Sequence, residues 1–192
     1  WLIIAQTIFQ ISQEKYQAFI DCVRQSTLDF CQTEHLVLNG AGSPTVALHH
    51  AQSVCNDFSF GSMLVKPSDF ELPTLNAFEA CMFIATPILK RLDKAVIPEV
   101  TALSWLYRGK LALFVYGGYW KANYIYPTGA QNNVTYGRSS NQEMVNVPRS
   151  CTYGVDDYVF LQPTQSEAVI SQFREVHVIR KGQITQTWAT FL

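Results

Sequence analysis

The six-residue apolar run Leu111-Ala112-Leu113-Phe114-Val115-Tyr116 stops on Gly117-Gly118, and residues 127–148 then hold Gly, Asn, Pro and Ser at intervals too close for a long element. Further short runs follow at 158–161, 175–180 and 183–188, the last two joined through Lys181-Gly182 as a hairpin. A C-terminal half punctuated in this way has room for strands and turns and little else, so it reads as mainly β. Residues 80–85 read as a further strand, 98–107 as a short helix, and 127–148 as a functional loop, because aromatic residues still punctuate it.

The N-terminal part follows another rule. Between residues 13 and 31 the apolar positions Tyr16, Phe19, Ile20, Val23, Leu28 and Phe30 keep an imperfect helical spacing, with Ser12 as N-cap candidate, which predicts one amphipathic helix. The run at 34–38 predicts a buried strand feeding Asn39-Gly40-Ala41-Gly42-Ser43-Pro44, where two glycines and a proline forbid a regular element. Phe60-Gly61-Ser62 repeats that punctuation about twenty residues later, so the first 65 residues resemble αβ units whose strand ends carry small-residue loops. The fold class expected is therefore α/β followed by mainly β, divided at 1–76 and 77–192.

Composition narrows the function. Lys and Arg number 14 against 15 Asp and Glu, a balance without the positive surplus that phosphate neutralisation requires, so a nucleic-acid partner is not expected. Charged residues make up 15 %, well below the roughly 25 % of an ordinary soluble domain, which predicts that part of the surface is hidden against a partner. Five widely spaced cysteines without a CxxC pair suggest neither a disulfide framework nor a zinc knuckle and fit a reducing, cytoplasmic compartment. No apolar run reaches the roughly 20 residues of a membrane span, and Trp1 in place of Met predicts a chain that begins inside a longer reading frame.

A few residues offer chemistry. Asn39, Gly40, Gly42 and Ser43, with Gly61 and Ser62 as a second wall, present unhindered backbone N–H groups of the kind that cradle a phosphate; the same residues also suit plain turns. Gln165 and Glu167 stand two apart, and on an extended segment both would point to one face, able to share a hard cation such as Mg²⁺ or Mn²⁺ rather than Zn²⁺, or simply to be solvated. Glu143 reads as a loop carboxylate, either solvated or meeting Gln165 and Glu167 or a substrate. The histidines His35, His49, His50 and His177 show no ligand spacing, Asp156-Asp157 reads as turn chemistry, and Asn133-Val134-Thr135 as a chance glycosylation sequon.

In order along the chain, several segments resemble the C-terminal half of the fold-type III, alanine-racemase-like pyridoxal-phosphate enzymes that include D-threonine aldolase and eukaryotic D-serine dehydratase. They are Leu38-Asn39-Gly40-Ala41-Gly42-Ser43, Gly61-Ser62-Met63-Leu64, Ile84-Ala85-Thr86-Pro87-Ile88-Leu89-Lys90 and Tyr116-Gly117-Gly118-Tyr119-Trp120-Lys121-Ala122. They continue as Tyr136-Gly137-Arg138-Ser139-Ser140-Asn141-Gln142-Glu143, as 156–167, and as Val178-Ile179-Arg180-Lys181-Gly182 with Trp188.

The resemblance implies the last strands of a cofactor-binding (β/α)₈ barrel followed by a β-barrel-like, D-serine dehydratase-like domain. It implies pyridoxal 5′-phosphate held at Asn39, Gly40, Gly42, Ser43, Gly61 and Ser62, a lyase acting on a D-3-hydroxy amino acid, and a partner, either the missing N-terminal half or a second subunit of a homodimer. The family's metal pair falls on Gln165 and Glu167, which keep the two-residue spacing without the imidazole, so Mg²⁺ or Mn²⁺ is expected in preference to Zn²⁺. The cofactor lysine of the family has no counterpart here; Lys90, Lys110 and Lys121 do not occupy its place, and no catalytic residue is assigned. A chain without that lysine is expected to be inactive alone. The alternative is a non-catalytic β-rich interaction module whose glycine loops merely turn.

Overall fold

The computed structural model describes residues 37–40, 42–49, 55–93 and 110–190, together with helical residues between 14 and 29. The chain divides into two compact units, Trp1–Cys81 and Met82–Leu192. The short helix expected at 98–107 lies outside the described residues.

In the first unit, β1 (Asn39–Gly40) pairs in parallel with β2 (Asp57–Phe58). The strand is shorter and later than the buried strand expected at 34–38. Residues 34–36 lie outside the described residues, and Val37 is exposed. The physical reason is local: the Leu38 N–H donates to the Asn56 side-chain oxygen at 2.8 Å, so a side chain takes the place of a ladder partner. The Asn39 amide in turn donates to Asp57 and to Ser59. Gly40 is required by close approach, because a β-carbon there would collide with the Cys55 sulfur. Four short 3₁₀ turns follow, Val46–Leu48, Ser62–Leu64, Ser68–Phe70 and Pro73–Leu75, and the fully buried Leu75 closes the last. Two parallel strands do not make a (β/α)₈ barrel, so among the described residues that part of the expected fold is not seen.

The second unit carries the fold class. Its strands are β3 (Ile84–Leu92), β4 (Lys110–Tyr116), β5 (Ala122–Tyr126), β6 (Gln131–Asn132), β7 (Gln142–Pro148) and β8 (Tyr158–Pro163), which form one antiparallel sheet in the order β5-β8-β3-β4-β7-β6. Alternate residues of these strands, Ile84 and Ile88, Leu111, Leu113 and Val115, Val145 and Val147, Val159 and Leu161, converge on one core with Ala122 from the edge strand. Edge strand and far strands can share a core only if the sheet curls on itself, and the result is a nearly closed, barrel-like sheet.

Two readings of the sequence change here. The strand expected at 80–85 begins instead at Ile84 and runs through Pro87 to Leu92. Pro87 is tolerated because β3 changes partner at that point: it pairs with β8 over residues 84–87 and with β4 from residue 88 onward, so the missing N–H falls at the handover. The loop expected at 127–148 is half strand, since β6 and β7 both lie within it. β7 is buried on both faces from Glu143 to Val147, so the polar Glu143 and Asn146 interrupt the apolar run by which a buried strand is read.

Beyond β8 lies the five-residue helix Ser166–Ile170, then the hairpin of β9 (Glu175–Arg180) and β10 (Gln183–Ala189). Lys181 and Gly182 form its turn with φ of 51° and 75°, as the Lys-Gly pair implied. The hairpin is a separate two-stranded sheet with β10 exposed along its whole length, Ile184 and Trp188 included.

Candidate functional site

Two groups of residues hold the chemistry that the sequence offers, one in each unit.

In the first unit the two glycine turns meet. Ser43, buried in the loop after β1, places its hydroxyl oxygen where it accepts the N–H of Gly61 at 3.3 Å and that of Met63 at 3.1 Å. Gly61 precedes the 3₁₀ turn Ser62–Leu64, and Ser62 is itself buried. The first turn is closed by its own backbone, with Thr45 and Val46 N–H donating to the Gly42 carbonyl at 3.0 Å each and the Gly42 N–H donating to the Thr45 hydroxyl at 3.2 Å. The short hydroxylated side chain of Ser43 thus ties the second turn to the first. A β-carbon at Gly61 would meet nothing within 4 Å, and one at Gly42 only the Pro44 ring at 3.8 Å. The space over both glycines is therefore open, while the N–H groups of Gly42, Gly61 and Met63 are themselves engaged by the Thr45 and Ser43 hydroxyls. Asn39 and Gly40 stand one step back in β1, engaged with Asp57, Ser59 and Cys55 rather than turned to that space.

In the second unit Glu143 is a correction. It lies on β7, not in a loop, and shares the inward face with Val145 and Val147; its side chain is 1 % exposed. Arg138 reaches it at 2.8 Å, and the Tyr124 hydroxyl donates to the same carboxylate oxygen at 2.6 Å. The Arg138 guanidinium also donates to the Ala122 carbonyl and lies 4.8 Å from the centre of the Tyr124 ring. Burial, then the bond to Glu143 and its negative charge, hold the Tyr124 phenol well above the ordinary tyrosine range, with Arg138 opposing. This carboxylate ties β7 to Tyr124 of β5 and to the loop that carries Arg138. Composition hid both partners, and the signal that could have found them was the alternation Glu143-x-Val145-x-Val147, which puts an acid on an apolar face and demands a cation.

Gln165 and Glu167 do not share a strand face. β8 ends at Pro163, Gln165 is the residue before the helix Ser166–Ile170, and Glu167 sits in its first turn, both exposed. The extended segment was expected from Leu161-Gln162-Pro163, but a proline at the strand's end followed by Ser166, Glu167 and Ala168 favours a helix start. An exposed amide and an exposed carboxylate on different elements do not fit a hard cation, and among the described residues no group of three His, Cys, Asp or Glu side chains could hold a metal.

The minor candidates resolve simply. Asn133 is buried, with its oxygen accepting the Thr135 and Tyr136 N–H groups at 3.0 Å and its nitrogen donating to Asn146 at 3.2 Å, so the sequon is a turn. Asp157 caps the turn it was read in by accepting the Gly154 N–H at 2.8 Å. His177 lies on the hairpin beside Thr187 and Glu175. Among the described residues Cys22, Cys81 and Cys151 stand outside any disulfide, and no helix is long and apolar enough to cross a membrane.

No family model and no curated protein matches the sequence. Among solved structures the chain is similar to a D-threonine aldolase from Filomicrobium marinum, with a TM-score of 0.66 and 14 % identity over 92 % of this chain and 48 % of that one. At that identity the likeness is one of fold. The chain spans about half the length of the aldolase structure.

Proposed function

We propose that this chain is the C-terminal portion of a pyridoxal-phosphate-dependent lyase acting on D-3-hydroxy amino acids, with Gly42, Ser43, Gly61 and Ser62 holding the cofactor phosphate. The observation that carries the reading is the Ser43 hydroxyl between the two glycine turns, with open space over Gly42 and Gly61. The fold-level likeness to a D-threonine aldolase supports it from a separate direction.

In this reading each residue has a limited task. Ser43 fixes the spacing between the two turns and, accepting the Gly61 and Met63 N–H groups, keeps its own hydroxyl proton to donate to the phosphate, while the absence of side chains at Gly42 and Gly61 lets the anion approach. When bound, the cofactor would supply the electron sink that weakens a bond at the substrate's α-carbon. The proposal extends to a partner, the remainder of the enzyme or a second copy, that covers exposed apolar residues such as Ile179 and Ile184.

The test uses the chain in its complete reading frame, purified with pyridoxal phosphate and offered D-threonine, D-serine and their L-enantiomers. Consumption of a D-substrate, with glycine and acetaldehyde or pyruvate and ammonia as products, supports the reading. Indifference to all four amino acids refutes it.

A further inference from the structure

The barrel of the second unit has a seam. β5 and β6 are the edges of the sheet, and β6 is only two residues long, pairing with Val145 and Asn146 of β7. The Asn133 N–H extends that pairing by one bond, to the Met144 carbonyl at 3.2 Å. Beyond it, at Glu143 and Gln142, β7 has its ladder to β4 on one side and, among the described residues, no strand on the other. What stands at that place is Arg138, whose guanidinium bonds the Glu143 carboxylate on β7 and the Ala122 carbonyl on β5 while stacking over Tyr124 of β5. Tyr124 completes the bridge from its own side by donating to Glu143. Side chains thus close the gap where backbone pairing stops.

The same residue sits in the loop 133–141, and a second loop is tied to it. The Gly117 N–H donates to the Asn141 carbonyl, and the Tyr119 N–H to the Ser139 carbonyl at 3.1 Å. A β-carbon at Gly117 would collide with the Ser139 carbonyl, so only glycine lets the two loops lie this close. Tyr119 and Tyr136 stand exposed on this pair of loops, and Tyr116 stands exposed at the end of β4 where the first begins.

We propose that Arg138 is the clasp of the barrel: it locks β5 to β7 across the seam and, through its own loop, holds residues 117–119 and 133–141 as one rigid body that presents Tyr119 and Tyr136. The guanidinium suits this task because its fork reaches two acceptors in fixed directions, where an ammonium would serve one. Arg138 is a positioning residue in this account. The inference concerns the second unit alone and is independent of the cofactor reading.

Amide hydrogen exchange on the full chain tests it, comparing the wild type with Arg138→Met, Arg138→Lys and Tyr124→Phe. In Arg138→Met the Gly117 and Tyr119 amides exchange faster by about tenfold or more while amides of β3 and β8 stay within about twofold, the pattern of local opening. Arg138→Lys fails to restore Tyr119 protection, and Tyr124→Phe gives a smaller loss at the same amides. Wild-type exchange at Gly117 and Tyr119 in Arg138→Lys, or an equal rise throughout the barrel in every variant that folds, would overturn the proposal. Should Arg138→Met fail to fold, the Arg138→Lys and Tyr124→Phe patterns decide by the same criterion.

Discussion

Alkaline titration of Tyr124 is the sharpest consequence of the buried cluster. The phenol is enclosed, bonded to Glu143 at 2.6 Å, and its pKa in the folded chain lies far above the ordinary value of 10.0. In the unfolded chain it ionises near that ordinary value. Above about pH 10 the unfolded state therefore loses a proton that the folded state keeps, so the stability gained by keeping Tyr124 neutral is fully present below pH 10 and drains away as the pH rises. The slope for one group is about 1.4 kcal/mol per pH unit, or about 1.4 kcal/mol lost by pH 11. Tyr124→Phe removes the group and with it that share of the slope, while costing about 1.5–3 kcal/mol at neutral pH for a lost bond to a charged acceptor. Urea unfolding of both proteins at a series of pH values, together with tyrosinate absorbance, measures each quantity. Two stability curves that fall in parallel between pH 10 and 12 would refute the argument, as would a full complement of tyrosinate in the folded wild type at pH 11.

Other residues give independent checks. Leu113→Ala empties a fully buried position in the barrel core and is expected to cost about 2–5 kcal/mol by urea unfolding. Asn133→Ala strands two backbone N–H groups and the Asn146 side chain, with an expected loss of about 1–3 kcal/mol in the same assay. Ser43→Ala removes the acceptor between the glycine turns, so the Gly61 and Met63 amides exchange faster by about fivefold or more, read by hydrogen exchange. Gln165→Ala and Glu167→Ala, both at exposed positions, shift stability by less than about 0.5 kcal/mol and leave Mn²⁺ titration isotherms unchanged.

Much of the β-architecture was legible because its signals are local. Glycine pairs and Lys-Gly stop strands wherever they occur, and the hairpin at 175–189 appears almost to the residue. The N-terminal turns were legible for the same reason: small residues after a strand leave few backbone options, and Ser43 joins the two. Long-range pairing was not legible. Pro87 is acceptable only because β3 exchanges one neighbour for another there, and nothing near Pro87 in sequence records it. Glu143 looked solvated because its partners, Arg138 and Tyr124, act from a loop and from the opposite edge of a curled sheet. Gln165 and Glu167 kept a family spacing without its geometry, since a turn and a helix begin where a strand was expected.

The cofactor reading is tested most directly by comparing pyridoxal 5′-phosphate with pyridoxal, which lacks the phosphate, on the chain in its complete reading frame, each titrated by absorbance against wild type and Ser43→Ala. The account predicts that the phosphorylated form binds at least about tenfold more tightly, a difference of about 1.4 kcal/mol, and that Ser43→Ala erases most of that preference. Equal binding of the two compounds, or a preference untouched by Ser43→Ala, would contradict it.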